Sequence, residues 1–400
     1  MSEPERVGVL LRRVVARFAA TASRSAGGWP GTAVSPGVSD EVALRRLTDR
    51  LTAEPGGPAG WSAAAVVDAA GPLAAVLTLP GVTDVLVNGD QVWVDQGSGL
   101  VPVRVALGGP ESTRRLAQRL VALAGRRVDE ACPYVDAQLP DGTRLHVVLA
   151  PVARGGPYLS LRTFPSRGYT LTELVAAGTV APNAARLLIR IVASRLPYLV
   201  TGGTGSGKTT LLAALLAAVP PDERIVVVED VAELRPAHPH VVRLQARTAN
   251  IEGAGHVTLR DLVRQALRMR PDRLVVGECR GAEVVDLLGA LNTGHEGGAA
   301  TLHANGSAEV PARLEALGLL GGVPRQALHA FALAALRIVI HLRRTAEGRV
   351  LEEVCLLRAR GDTGLMDVAP AWRRAVGAGP AAAELTGLIA ARGIASGWRS

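Results

Sequence analysis

The chain has 400 residues, 48% hydrophobic and 20% charged, the composition of a globular protein too long for one ordinary core. Its net charge of +8 raises nucleic acid or an anionic membrane as a partner. The arginines, however, are spread along the chain beside acids, and an aromatic content of 3% leaves few rings for base stacking. Cys132, Cys279 and Cys355 are far apart and form no CxxC pair, which argues against a disulfide framework and for a reducing, cytoplasmic setting.

In chain order, the first residues place acids ahead of a short apolar run broken by Arg12 and Arg13, unlike a secretory signal. Residues 6–20 are expected to form a basic amphipathic helix with Val7, Leu11, Val14 and Phe18 on one stripe. That stripe can pack on protein or lie on a membrane surface. A Gly/Pro/Ser-rich linker over 25–38 and a short helix near Ser39-Asp40-Glu41 complete a region spanning 1–60. The apolar window from Ala63 to Val82 contains Asp68, Gly71-Pro72 and Pro80 and makes a poor membrane span.

Residues 61–165 are expected to form a small α+β domain. DVLVNGDQVWVD is a hairpin turning through Asn88-Gly89-Asp90, and LVPVRVAL is a strand. A helix runs from Pro110 to Gly125, a second hairpin turns through Pro140-Asp141-Gly142, and YLSLRTF closes the sheet. Phe164 to Gly168 resembles a hinge. Over 170–345 the apolar strands PYLVT, RIVVVED, HVVRLQ, RLVVGE and AATLHA alternate with helices, the pattern of a parallel sheet wrapped on both faces. Those helices are expected at 181–195, 208–218, 258–270, 281–292, 307–318 and 324–336. Over 346–400 one strand, VLEEVCLL, precedes an Ala/Gly-rich tail with weak signal. The fold class is therefore α/β, a P-loop (RecA-like) NTPase domain behind a smaller α+β domain.

Gly202, Gly203, Thr204, Gly205, Ser206, Gly207, Lys208 and Thr209 match the Walker A pattern GxxxxGK[ST], and Thr210 continues into the following helix. Glycines let backbone N–H groups wrap a phosphate at a helix N-terminus. Lys208 is then placed for the β- and γ-phosphates of ATP, and the Thr209 hydroxyl for Mg²⁺. Of the 44 Lys and Arg residues only Lys208 is lysine. A chain that otherwise uses arginine keeps the compact ammonium where a tight cradle needs it.

Leu274 to Glu278 is an apolar strand ending in an acid, the form of a Walker B element whose carboxylate holds Mg²⁺ beside the phosphates. Glu229 ends another apolar strand and is placed to activate the attacking water; its neighbour Asp230 could equally cap a helix. His295 and His303 lie in TGHEGGAATLHAN. Either they are loop histidines or they sense phosphate; no HExxH spacing makes them a metal pair. Arg260, Arg264 and Arg268 recur along one helix, with Arg270 just beyond. They form a solvated face, or else a subunit interface or an arginine finger.

The order GGTGSGKTT, VVVEDVAEL, RLVVGECRG and TGHEGGAATLHAN resembles the secretion ATPase superfamily of type II and type IV secretion, in particular its Flp (tight-adherence) pilus assembly branch. DVLVNG and VDEACPYVDAQLPDGTRLHVVLAP resemble that family's N-terminal domain. The resemblance implies an ATP hydrolase forming a hexameric ring, with nucleotide between the two domains of each subunit. It implies work on an inner-membrane platform protein, so a cytoplasmic motor with peripheral membrane contact. Glu229 takes the catalytic acid of the "Asp box", Glu278 the Walker B acid, and His295 and His303 the "His box". Arg144 and Arg162 match N-terminal-domain arginines near the nucleotide. The alternative is a nucleic-acid-dependent P-loop motor of recombinase or helicase type, which the scarcity of aromatic residues disfavours.

Overall fold

A computed structural model describes residues 63–97, 99–163, 168–247, 254–294, 296–361 and 363–393. The helix and linker expected over 1–60 and most of the expected hinge lie outside these residues. The chain divides into two compact units, Met1–Ser166 and Arg167–Ser400.

In the first unit six strands form one antiparallel sheet: β1 (Asp84–Asn88), β2 (Gln91–Asp95), β3 (Leu100–Val103), β4 (Tyr134–Gln138), β5 (Arg144–Val148) and β6 (Tyr158–Arg162). Their order is β3-β2-β1-β6-β5-β4. Alternation along β1, β2, β5 and β6 buries Val85, Val87, Val92, Val94, Leu145, Val147, Leu159 and Leu161 on one face. That face packs on α1 (Ala63–Ala70), α2 (Ala74–Leu77) and α3 (Pro110–Leu123) through Leu73, Leu116, Leu120 and Val121. Gly89, at φ 69°, makes the tight β1–β2 turn where the sequence placed it. Strand β3 stops at Val103, shorter than expected, where its one partner β2 runs out, and Pro102, which has no N–H to donate, is tolerated at this sheet edge.

The second unit is built on a nine-stranded sheet. Its strands are β7 (Tyr198–Gly202), β8 (Ile225–Glu229), β9 (Val241–Gln245), β10 (Arg273–Cys279), β11 (Ala299–His303), β12 (Ile338–Thr345), β13 (Gly348–Ala359), β14 (Met366–Arg373) and β15 (Gly377–Ala378). The order is β15-β14-β13-β12-β7-β11-β10-β8-β9, parallel from β12 to β9 and antiparallel from β12 to β15. Helices α4 (Leu171–Ala176), α5 (Pro182–Ala193) and α6 (Lys208–Leu216) cover one face, together with α11 (Ala382–Ala391). Helices α7 (Leu259–Ala266), α8 (Glu283–Asn292), α9 (Val310–Leu320) and α10 (Arg325–Ala335) cover the other. Coverage of both faces explains why β7 and β8 are buried at every residue and read as unbroken apolar runs.

Two parts of this sheet differ from the sequence expectation. Strand β12 follows α10 with only Leu336 and Arg337 between, so no Gly or Pro separated an Ala/Leu-rich helix from Ile338-Val339-Ile340. Beyond 346, where one strand and a weak tail were expected, β13 to β15 and α11 extend the sheet and bury Trp372, 1% exposed. Pro370 hid β14; it sits where the β13–β14 register shifts, a bulge that tolerates a missing donor.

Candidate functional site

Strand β7 delivers the glycine-rich loop and α6 receives it. Gly202 (φ 155°), Gly205 (φ 69°) and Gly207 (φ 94°) hold backbone that other residues adopt only with strain. Gly202 is also a close-approach position, since a Cβ there would lie 2.4 Å from Ser206 Oγ and 2.5 Å from the Leu342 carbonyl oxygen. Thr209 and Thr210 open the first turn of α6, where free backbone N–H groups and the helix dipole favour an anion. Thr204 is exposed at the loop's tip. Lys208 Nζ donates to the carbonyls of Gly202 (3.1 Å) and Gly203 (3.0 Å), so the ammonium lies across the loop. Burial lowers its pKa, with the Glu278 carboxylate pulling the other way.

Ser206 Oγ is buried with no hydrogen-bond partner among the described residues. An unpaired buried hydroxyl costs free energy unless something else bonds it. A phosphate in the loop would supply that acceptor.

Strands β8 and β10 are neighbours in register, Val228 beside Val276, which sets Glu229 next to Gly277. The Glu229 side chain lies over that glycine, where a Cβ would be 2.6 Å from Glu229 Cγ. Glu229 is 3% exposed. Its Oε1 accepts the backbone N–H of Glu233 (3.0 Å) and Leu234 (2.9 Å), stapling the irregular segment after β8. No helix starts after Asp230, so the helix-cap reading of that residue falls away. Burial is the leading cause that pushes the Glu229 carboxyl from its ordinary 4.5 up to about 7, against those two hydrogen bonds.

Glu278, near the end of β10, is only partly buried and accepts from Arg280 Nε (2.8 Å). Its field reaches Lys208, and Arg280 also feels Asp230 and Glu233. Thus β7, β8 and β10 converge on one charged neighbourhood at the carboxyl ends of the parallel strands, where ligands of open α/β sheets bind. A hydroxyl (Thr209) and a carboxylate (Glu278) are hard oxygen donors of the kind Mg²⁺ takes while keeping waters and substrate oxygens. Among the described residues no group of three or more His, Cys, Asp or Glu could hold a metal by itself.

His303 ends β11 beside Gly202 in register, partly buried, and its carbonyl accepts from Arg313 Nε at 3.1 Å. His295 lies outside the described residues. In the first unit Arg144 and Arg162 are direct cross-strand partners, and Arg162 Nε donates to Asp84 Oδ1 at 2.9 Å. The arginine row on α7 is engaged within its own unit. Arg260 and Arg264 both donate to Asp286 of α8 (2.6 and 3.0 Å), and Arg268 reaches Gln265. The first two therefore clamp α7 to α8.

Several participants escaped sequence reasoning. Gly277, a glycine inside an apolar strand, carried the signal of a close approach. His341 of β12 is buried and hydrogen-bonds Thr201 Oγ1 at 2.9 Å, directly behind the loop. Arg349 Nε donates to the Gly205 carbonyl at 2.8 Å. Neither could be assigned before β12 was known to pair with β7.

A glycine-rich loop between a central parallel strand and a helix, with carboxylates on the second and third strands along, defines a P-loop NTPase of RecA-like architecture. The chain belongs to the type II/IV secretion system protein family, which it matches over residues 67–371. A Mycobacterium tuberculosis (strain ATCC 25618 / H37Rv) protein with a provisional conjugal-transfer name is 54% identical over 334 residues, covering 82% of this chain and 94% of that one. The conjugal transfer protein TrbB of Rhizobium radiobacter is 32% identical over 229 residues, covering 56% of this chain and 68% of that one. Among solved structures, the VirB11 ATPase of the Brucella suis type IV secretion system is 27% identical at a TM-score of 0.38, covering 72% of this chain and 97% of that one. Membership makes this chain a secretion-type ATPase in general terms. Among the described residues no helix is long and apolar enough to cross a membrane.

Proposed function

We propose that the protein hydrolyses ATP with Mg²⁺ as a ring-forming cytoplasmic motor of pilus assembly or type IV-like secretion. The ring is a homo-oligomer, a hexamer in the reading the resemblance suggests. It works on a platform protein at the inner face of the cell membrane. The observation that carries this is the meeting of Lys208, which opens α6 at the glycine loop, with Glu278 of β10, whose charge acts on it, and Glu229 of the adjoining β8.

Backbone N–H groups of Gly203 to Thr210 and the Lys208 ammonium hold the phosphates; Thr209 and Glu278 would hold Mg²⁺, which would supply charge neutralisation at the phosphoryl group. Glu229, with its carboxyl near neutrality, accepts a proton from the attacking water while its Oε1 stays tied to the backbone. His303, at the end of the strand beside the loop, reports phosphate occupancy to β11, and His295 shares that role. Arg144 and Arg162 are the arginines that the resemblance assigns to the γ-phosphate. Conjugal-transfer names among the relatives favour export machinery as the setting, and the pilus-assembly branch remains the specific form of the proposal.

The test is ATP turnover of the wild type and Lys208→Ala, each with and without membrane extract and with and without DNA. Turnover lost in the folded Lys208→Ala protein and stimulated by membrane components supports the motor. Turnover that depends on DNA alone supports the nucleic-acid motor instead.

A further inference from the structure

The hairpin joining β12 to β13 lies against the glycine loop and carries two arginines, of which the site as described uses only Arg349, on the Gly205 carbonyl. Strand β12 runs parallel to β7 with Leu342 beside Gly202, so residues just beyond Leu342 overhang the loop. Arg344 and Arg349 are direct cross-strand partners on that hairpin, and both are exposed. Each touches the loop's outline. A Cβ on Gly205 would be 3.5 Å from Arg344 Nη1, and one on Gly207 would be 3.3 Å from Arg349 Cδ.

Two like charges facing each other across strands are destabilising, and the surroundings show how this chain usually relieves such charge. Arg343, next in sequence, pairs with Glu352, and Arg373 on the adjoining strand pairs with Glu353. Among the described residues the Arg344 side chain makes no ion pair or hydrogen bond, and the Arg349 side chain makes only the bond to the Gly205 carbonyl. Glu347, in the turn between them, pairs with neither. Two adjacent guanidinium groups kept free of carboxylates, at the rim of an anion cradle, are suited to a polyphosphate, which each can grip with a planar fork.

We propose that Arg344 and Arg349 form a cationic arm of the loop that holds the phosphates of a nucleoside di- or triphosphate within the same subunit. This rests on the loop being the nucleotide site. The arm neutralises the phosphates on binding and makes the same contacts before and during hydrolysis. Its loss therefore raises KM and leaves kcat little changed, the mark of uniform binding. Arg349 has a second duty, since its Nε fixes the Gly205 carbonyl.

The experiment measures equilibrium binding of fluorescent ADP and ATP analogues, and steady-state hydrolysis, for six proteins. These are the wild type, Lys208→Ala, Arg344→Gln, Arg349→Gln, the double arginine variant and Arg343→Gln, with folding checked by thermal unfolding. Arg344→Gln and Arg349→Gln should each weaken binding of both nucleotides about tenfold, the worth of a charge-assisted hydrogen bond, with kcat within about twofold. Arg343→Gln should bind as the wild type does. Wild-type affinity in folded Arg344→Gln overturns the arm. So does weakening confined to Arg349→Gln, because that pattern belongs to a scaffold for the Gly205 carbonyl. If the wild type binds no nucleotide, or Lys208→Ala binds as well as the wild type, the loop itself is misread; if only the arginine variants bind normally, the arm alone fails.

Discussion

Replacing Glu229 by Gln tests chemistry and energetics at one atom. The side chain is 3% exposed and its carboxyl is raised from 4.5 to about 7. The folded protein thus holds this proton more tightly than the unfolded chain, and ionising the buried group costs stability. That cost is absent below about pH 4.5, grows as pH rises toward about 7 and is fully present above it. At about 1.4 kcal/mol per pH unit, the gap is worth roughly 3 kcal/mol. Glutamine cannot ionise, and its amide oxygen can still accept the N–H groups of Glu233 and Leu234 that Oε1 accepts now. Urea unfolding of the nucleotide-free proteins should show Glu229→Gln more stable than the wild type at pH 8, with the difference fading toward pH 5. Hydrolysis at saturating Mg-ATP should fall by roughly 10²-fold or more, the usual scale of a lost general base, while nucleotide affinity is retained. The wild-type rate should climb with pH through about 7, as the base loses its proton. Wild-type turnover in Glu229→Gln would refute the base assignment. A variant no more stable than the wild type at pH 8 would refute the account of a desolvated carboxylate.

Gly277→Ala puts a methyl 2.6 Å from Glu229 Cγ. It should lower stability by about 1–3 kcal/mol, as overpacking does, and cut turnover more than nucleotide binding; unaltered turnover would show that Glu229 needs no such seat. Glu223→Ala strips the buried Arg273, 1% exposed, of its carboxylate partner. Chemical unfolding should then report a loss of about 3–5 kcal/mol, with a loss under 1 kcal/mol counting against the pair as a buried one. Turnover should require assembly, because an arginine delivered across an interface is worth about 10³-fold or more in rate. Inactive Lys208→Ala and Arg162→Ala proteins should therefore recover activity when mixed, and a species monomeric by light scattering with full activity would end that idea.

How much was visible beforehand follows from how local each signal is. The glycine loop, its flanking strand and helix, and the acids ending β8 and β10 are written in contiguous residues, so their placement could be read directly. The first-unit hairpins were equally legible, since Gly89 and the Pro140-Asp141-Gly142 turn are punctuation with a backbone reason. Contacts between distant segments were not legible. Asp286 lies 26 residues from Arg260, and Arg349 lies 144 from Gly205. The arginine row on α7 therefore looked unattached, and VLEEVCLL looked like a lone strand rather than one arm of a hairpin over the loop. A helical charge stripe tells which side chains share a face but not what that face meets.

The two acids at the carboxyl ends of β8 and β10 share a chemistry and differ in surroundings, and that difference divides their work. Glu278 stands partly in solvent with Arg280 bonded to it and the Lys208 ammonium within its field. A partly exposed carboxylate can meet a hydrated cation, which suits a group meant to hold Mg²⁺. Glu229, across the gap left by Gly277, has burial against it and two backbone N–H groups for it, and burial prevails. A carboxyl poised near neutrality can take a proton and give it back within a turnover, which a permanently charged one cannot. Removing the like charge that helps to raise it, by Glu233→Gln, should pull the rate's pH midpoint below about 7, and a midpoint left in place would mean another group sets it.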